Sequence, residues 1–224
     1  MTYLIGIDVG TSSTKVLITD ETGNLTAEAS VQYPISNPRP EWAEQDPEWW
    51  WQAGKKTIKG AIKGSKIDPK EVSAIGVTGQ MHGTVLLDKD LKPLRRAIIW
   101  ADKRSQAQCR KIYEAVGKEK FLEITCNRAM PGFMAPSLLW IKENEPQIFK
   151  KASAVLLPKD YVKLKLTGSL ATDVSDASAT LLFDIKKRTW SDYVISQLGF
   201  PQELFPEAYD SVEIVGETSK EASK

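Results

Sequence analysis

The stretch over residues 4–20 constrains the fold most. Residues 4–7, Leu-Ile-Gly-Ile, form an apolar run that reads as a buried strand. The run meets an acid, Asp8, and breaks at Gly10 into four consecutive hydroxyl residues, Thr11, Ser12, Ser13 and Thr14. A second β-rich run follows over 16–19. Two such runs joined by a short glycine-bearing connection predict a hairpin. A turn of this kind can aim backbone N–H groups and hydroxyls at one point, which suits a phosphate. Gly10, Thr11, Ser12, Ser13 and Lys15 are therefore the candidate phosphate contacts, with Lys15 supplying a positive point charge. Asp8 is the candidate ligand for Mg²⁺, because a lone carboxylate beside a phosphate commonly holds that ion or its water. The plainer alternative is a surface hairpin with a Ser/Thr-rich turn. Asp8 tips the balance on one premise: an acid buried at the end of an apolar strand needs a partner or a cation. The spacings G-x-x-x-x-G-K-[ST] and G-x-G-x-x-G are both absent.

The hairpin continues through a turn at 20–24 into a strand over 25–33, which opens an antiparallel meander. Asp46, Pro47 and Glu48 start a helix well: the first caps, the second fits the first turn, and the third complements the dipole. Trp50, Ala53, Thr57, Ile58, Ala61 and Ile62 then make one apolar stripe at helical spacing. Trp42, Trp49, Trp50 and Trp51 read either as core or as a sugar-stacking platform. Residues 72–78 form a strand that runs straight into Gly79-Gln80-Met81-His82-Gly83. Two glycines around three side chains let the backbone turn tightly and let a ligand come close. His82 is the sole histidine, so a histidine metal cluster is excluded.

Further along, 84–87 and 97–100 read as strands and 102–116 as a helix with Asp102 as its cap. Trp100, Asp102 and Arg104 are candidates to face a sugar; a surface ion pair is the competing reading for Arg104. Helices are expected over 136–141 and up to 150, then a strand at 154–157 and a helix over 161–166 closed by Gly168. The small, polar run 171–180, with Asp173 and Asp176, reads as a loop that either offers groups to a ligand or serves as a plain connection. A strand at 181–185 and a helix over 191–198 follow. Residues 1–215 are expected as one domain and 216–224 as a tail or linker.

Gly6-Ile7-Asp8-Val9-Gly10-Thr11-Ser12-Ser13-Thr14-Lys15 resembles the first phosphate motif of the FGGY carbohydrate kinases. Gly76-Val77-Thr78-Gly79-Gln80-Met81-His82-Gly83 resembles the sugar-contact segment of the xylulose kinases within that family. Trp42 to Trp50, Trp100-Ala101-Asp102-Lys103-Arg104, Met130-Pro131-Gly132-Phe133, Leu156 to Tyr161 and Thr172 to Ser178 extend the likeness in the same order. The resemblance implies an α/β, ribonuclease-H-like fold of the actin, hexokinase and Hsp70 superfamily. That means a mixed five-stranded-type sheet with helices on both faces, plus inserted helices and strands. It implies ATP and Mg²⁺ as cofactors and D-xylulose, or a related ketose, as substrate. Gln80, Met81 and His82 are the implied sugar contacts; glycerol-specific relatives carry Arg-Glu where Met81-His82 stands. It also implies a catalytic aspartate and an adenine site in a C-terminal nucleotide-binding domain beyond Lys224, so that these 224 residues alone do not turn over. Ribulose, gluconate or glycerol kinase activity, and a non-enzymatic sugar-binding module, are the alternatives. An opened half of such an enzyme could form a homodimer through its uncovered face.

Composition narrows the partners. Thirty basic and 29 acidic residues nearly cancel, so neither nucleic acid nor an acidic membrane is an expected partner. Two cysteines are too few for a disulfide framework and fit a reducing, cytoplasmic setting. No signal peptide or membrane span is expected.

Overall fold

A computed structural model describes residues 2–220 and 222–223. The predicted meander is present. Strands β1 (Tyr3–Val9), β2 (Ser13–Asp20) and β3 (Leu25–Gln32) pair antiparallel in sequence. A two-residue strand, β4 (Glu44–Gln45), precedes helix α1 (Pro47–Ser65). Strand β5 (Val72–Gly79) then returns parallel to β1, giving the order β3-β2-β1-β5. The sheet is thus mixed, as expected, but it holds four strands, one fewer than the five-stranded type.

The start of α1 follows from local chemistry. Asp46 accepts the Glu48 N–H, and Pro47 fills the first turn, where no donor is missed. Trp50, Ala53, Thr57 and Ala61 are buried along the predicted stripe. Trp51 is buried as well, so this part of the tryptophan cluster is core rather than a stacking platform. A second long contact comes from helix α6 (Pro158–Thr167), which packs on β5, on β1 and on α1. Beneath the two helices, Ile5, Ile7, Val9, Val16 and Ile18 are nearly inaccessible. Burying five such side chains contributes on the order of 1.5–3 kcal/mol each before chain entropy is counted.

The opposite sheet face is different. Leu4 and Leu17 are about two-fifths exposed, at 40% and 39%, and Asp8 and Lys15 stand out beside them. Among the described residues the main helices cover one face, not both. The alternation Lys15-Val16-Leu17-Ile18 already has the period of a half-covered strand.

A second apolar cluster is built by α2 (Gln106–Val116), α3 (Lys118–Thr125), α4 (Met134–Asn144), the four-residue α5 (Pro146–Phe149) and α8 (Asp192–Gln197). Short strands β6 (Val85–Leu87) and β8 (Ala154–Leu156) pair between the two clusters and send side chains into both. Segment 171–180 is not a loop. It holds strand β9 (Ala171–Asp173) and helix α7 (Val174–Ser178), which Asp173 caps by accepting the Ser175 and Asp176 N–H groups. Helix α2 begins at Gln106 rather than at 102. Nor does 216–220 extend freely: the Ser219 N–H bonds the Leu166 carbonyl at the end of α6. Cys109 and Cys126 are both free thiols. Among the described residues no helix is long and apolar enough to cross a membrane.

Candidate active site

Parallel neighbours β1 and β5 end side by side, with Asp8 opposite Thr78 and Val9 opposite Gly79. The turn over residues 10–13 leaves β1 at this edge and the Gly79–Gly83 loop leaves β5 at the same edge. Crevices at the carboxyl ends of parallel strands are where ligands bind in open α/β sheets. The two segments are joined at once: the Gln80 N–H donates to the Val9 carbonyl at 2.8 Å. Two surface hollows of about 500 Å³ each lie elsewhere, and neither is lined by a residue of the turn or the loop.

The turn closes with a hydrogen bond from the Gly10 N–H to the Ser13 carbonyl. The Tyr33 hydroxyl donates to the Gly10 carbonyl at 2.5 Å, and burial pushes that phenol up to about 12. The Trp100 indole N–H donates to the Thr11 hydroxyl at 2.9 Å, while its ring stays half-exposed over the turn. The turn is therefore held from outside itself. Among the described residues, the Thr11 and Ser12 N–H groups and the Ser12 and Ser13 hydroxyls make no hydrogen bond. These are the donors that a phosphate needs.

Asp8 is exposed rather than buried, which removes the desolvation premise of the sequence argument. Its carboxylate makes no ion pair or hydrogen bond among the described residues. Its cross-strand neighbour Lys15 pairs with Glu28 at 2.8 Å, with both side chains about half-exposed. Such a surface pair is weak and leaves Lys15 free to move to a better anion.

On the loop, Met81 is 56% exposed and His82 only 9%. His82 adopts φ 65°, a left-handed conformation that is uncommon for any residue with a Cβ. Its ring lies on Phe133 with centroids 3.6 Å apart. Burial, opposed by a hydrogen bond with the Ala179 backbone, lowers its pKa below the usual histidine value. Nδ1 is buried without a partner. The neutral ring therefore keeps an unused acceptor. Gly83 is needed because a Cβ there would sit 2.5 Å from Pro158 Cγ, at the start of α6.

Three expected sugar contacts are turned inward. Gln80 is buried and spends its Nε2 on Gln45 and on the Gly10 carbonyl. Asp102 and Arg104 form a buried ion pair, with Arg104 also 2.8 Å from Glu44. The Arg104 guanidinium lies 3.6 Å over the Trp42 ring and 5.0 Å from that of Trp140. Asp102 also accepts the Ala43 N–H, so it is committed and caps no helix. Arg104 is neither a surface pair nor open to a sugar in this conformation, because its side chain is only 1% exposed and is enclosed by Trp42, Glu44, Asp102 and Trp140.

Sequence reasoning missed a buried charge cluster at the same end of the molecule. Lys159 Nζ is 2.8 Å from Asp160, 2.5 Å from Asp173 and 3.2 Å from Asp176. Burial pushes its pKa down, yet the Asp160 and Asp176 carboxylates outweigh this and hold it above the usual lysine range. Asp173 and Asp176 are therefore both engaged with Lys159. Among the described residues no group of three or more His, Cys, Asp or Glu side chains is placed to hold a metal.

The mixed sheet, the hairpin turn at its edge and the glycine-bracketed loop beside it define an α/β domain of the actin and hexokinase type. The profile of the N-terminal domain of the FGGY family of carbohydrate kinases matches residues 3–224, and the chain belongs to that family. It is 42% identical over 220 residues to a xylulose kinase of Escherichia coli (strain K12), covering 98% of this chain and 45% of that one. The crystal structure of xylulose kinase from Rhodospirillum rubrum superposes with a TM-score of 0.93 at 27% identity, over 99% of this chain and 45% of that one. That of gluconate kinase from Lactobacillus acidophilus does so with 0.92 at 28% identity, over 99% and 44%. The chain spans less than half the length of these relatives.

Proposed function

We propose that this chain is the sugar- and phosphate-binding half of an ATP-dependent carbohydrate kinase that phosphorylates D-xylulose. The observation that carries the reading is the convergence of the unpaired donors at Thr11 and Ser12 with the Met81–His82 loop at one sheet edge. Xylulose kinases among the relatives favour that sugar over gluconate, ribulose or glycerol.

Each residue then has a physical task. The Thr11 and Ser12 N–H groups and the Ser12 and Ser13 hydroxyls receive the terminal phosphates of ATP, with Lys15 as a mobile counter-charge. Asp8, unpaired and exposed beside them, is a fitting anchor for Mg²⁺, which a single carboxylate holds together with waters and nucleotide phosphates. When bound, the ion supplies charge neutralisation for phosphoryl transfer. His82, neutral and stacked on Phe133, shapes the sugar pocket beside Met81, and its buried Nδ1 meets a sugar hydroxyl only when the loop shifts on binding. Met81 and the Trp100 ring give the sugar an apolar wall. The base that takes the hydroxyl proton lies outside the residues assigned here, so the 224-residue chain binds sugar but does not turn over.

Calorimetry with D-xylulose, D-ribulose, gluconate and glycerol tests the sugar assignment. Heat with D-xylulose alone, lost in His82→Ala, supports it. Equal or stronger heat with gluconate or glycerol overturns it. A coupled ATPase assay on the same chain should read zero above background; robust turnover would refute the half-enzyme reading.

A further inference from the structure

We propose that Gln45 is a positioning residue that ties the phosphate turn to the Met81–His82 loop, so that filling one subsite tightens binding at the other. This rests on the two-subsite reading above. Gln45 is fully buried, so it touches no ligand. Its Nε2 donates to the Thr11 carbonyl at 2.7 Å and to the Pro34 carbonyl at 3.1 Å. Its Oε1 accepts from Gln80 Nε2 at 2.8 Å and from the Trp50 indole at 3.1 Å. Two donors and two lone pairs are all used, which is the full capacity of a primary amide. The orientation of the amide is fixed by its partners, because an indole can only donate and carbonyls can only accept.

The consequence lies in what the four partners are. Thr11 belongs to the phosphate turn. Gln80 is the residue immediately before Met81 and His82. Pro34 and Trp50 belong to the body of the domain. Gln80 also reaches the Gly10 carbonyl at 3.3 Å, while its own Oε1 is buried without a partner. The loop is therefore steered at this point by the Gln80 amide nitrogen, and Gln45 is its shortest side-chain hold. Gln45 is itself fixed by backbone pairing, opposite Ala97 in a two-stranded ladder. A shift of the turn on binding phosphate is passed to the loop through this rigid amide, which adds to the direct ties of Gln80 to the Val9 and Gly10 carbonyls.

The test measures coupling directly on this chain. The Kd of D-xylulose is determined by calorimetry with and without saturating magnesium tripolyphosphate. The wild-type chain should bind the sugar about fivefold or more tightly in its presence, the lower edge of ordinary site–site coupling. Gln45→Glu keeps an oxygen for Gln80 and Trp50 but sets a second oxygen against the Thr11 and Pro34 carbonyls. It should still bind each ligand singly and lose most of the coupling, leaving only what the direct Gln80 bonds to the Val9 and Gly10 carbonyls carry. Trp50→Phe, which loses one bond to the same oxygen without touching turn or loop, should keep the coupling. Coupling of undiminished size in Gln45→Glu, or its absence from the wild type, overturns the proposal. If Gln45→Glu does not fold, Gln80→Met cuts the same tie from the other side and is judged by the same outcomes. A wild-type chain that ignores D-xylulose refutes the kinase reading instead. The tie is then judged by NMR: tripolyphosphate must move the Met81 methyl and His82 ring signals in the wild type and much less in Gln80→Met, and still signals in the wild type overturn it.

Discussion

The His82 imidazole is stacked on the Phe133 ring, 3.6 Å between centroids and 19° between planes. Burial favours the uncharged ring, since a charge would be moved out of water, and it outweighs the hydrogen bond with the Ala179 backbone, which favours the charged one. The folded chain therefore binds its histidine proton less readily than the unfolded one, whose value is about 6.5. Stability conferred by the neutral ring is full above that pH and is lost as pH falls through the lowered folded value. Urea unfolding between pH 5 and pH 8 should show this loss in the wild type. His82→Asn, which tolerates the left-handed backbone, should flatten it. An unchanged slope in the variant would assign the pH dependence to other groups.

The Lys159 cluster makes a second prediction. Lys159→Met leaves Asp173 and Asp176 without their cation, and Asp160 with Lys163 alone, at 3.0 Å. Removing one partner from a buried ion network costs about 3–5 kcal/mol. The cost should shrink toward low pH. Uncompensated carboxylates have folded pKa values above their unfolded ones, so the variant is most stable where they are protonated and loses stability as pH rises. In the wild type, burial raises Asp173, but the Lys159 hydrogen bond and charge outweigh it; with its pKa thus lowered, Asp173 contributes in the opposite sense. Denaturant midpoints at pH 3.5 and 7 measure the gap; an equal gap at both would contradict this account.

Gly83 sets the distance between the Met81–His82 loop and α6. A Cβ at this position would press on Pro158 Cγ at 2.5 Å, and a proline ring has little room to yield. Gly83→Ala should displace Met81 and His82 and weaken D-xylulose binding about tenfold or more, as misplacement of a binding group by a fraction of an ångström does. Circular dichroism should remain that of the wild type. Unaltered affinity in a folded variant would place the sugar elsewhere.

How much of this was readable in advance depends on the range of the interactions. The start of α1 is legible because Asp46, Pro47 and Glu48 act within one turn. The hairpin and the existence of β5 are legible from period and glycine placement, whereas the parallel pairing of β5 with β1 joins distant segments that no local pattern links. Arg104 is not, since its fate is decided by Trp42, Glu44 and Trp140, which no local pattern links to it. Segment 171–180 hides a helix inside a run of small polar residues, because Asp173 caps it and Asp160 and Lys159 fix its neighbours. Helix α3 also escapes notice: Lys118–Thr125 offers a short stripe and Gly117, rather than a side-chain cap, at its start. Asp8 is placed correctly at the strand end, but for a reason the fold does not uphold, since it faces outward.

Asp8 provides the last prediction. It stands exposed at the strand end, opposite Lys15 and Thr78, and its carboxylate has no ion pair or hydrogen bond among the described residues. Replacing such a side chain by its neutral isostere leaves folding nearly unchanged, within about 0.5 kcal/mol. A carboxylate that anchors magnesium beside a phosphate acts only when both are present. Tripolyphosphate should therefore bind the wild-type chain more tightly with Mg²⁺ than without it. Asp8→Asn should abolish that difference, while metal-free binding to the turn stays as it was or improves slightly, because a negative charge near the anion has gone. Titration calorimetry of the two chains, with and without the ion, separates these cases. A magnesium effect of undiminished size in Asp8→Asn would mean that the phosphate carries its own ion to the turn and that the carboxylate has no part in holding it.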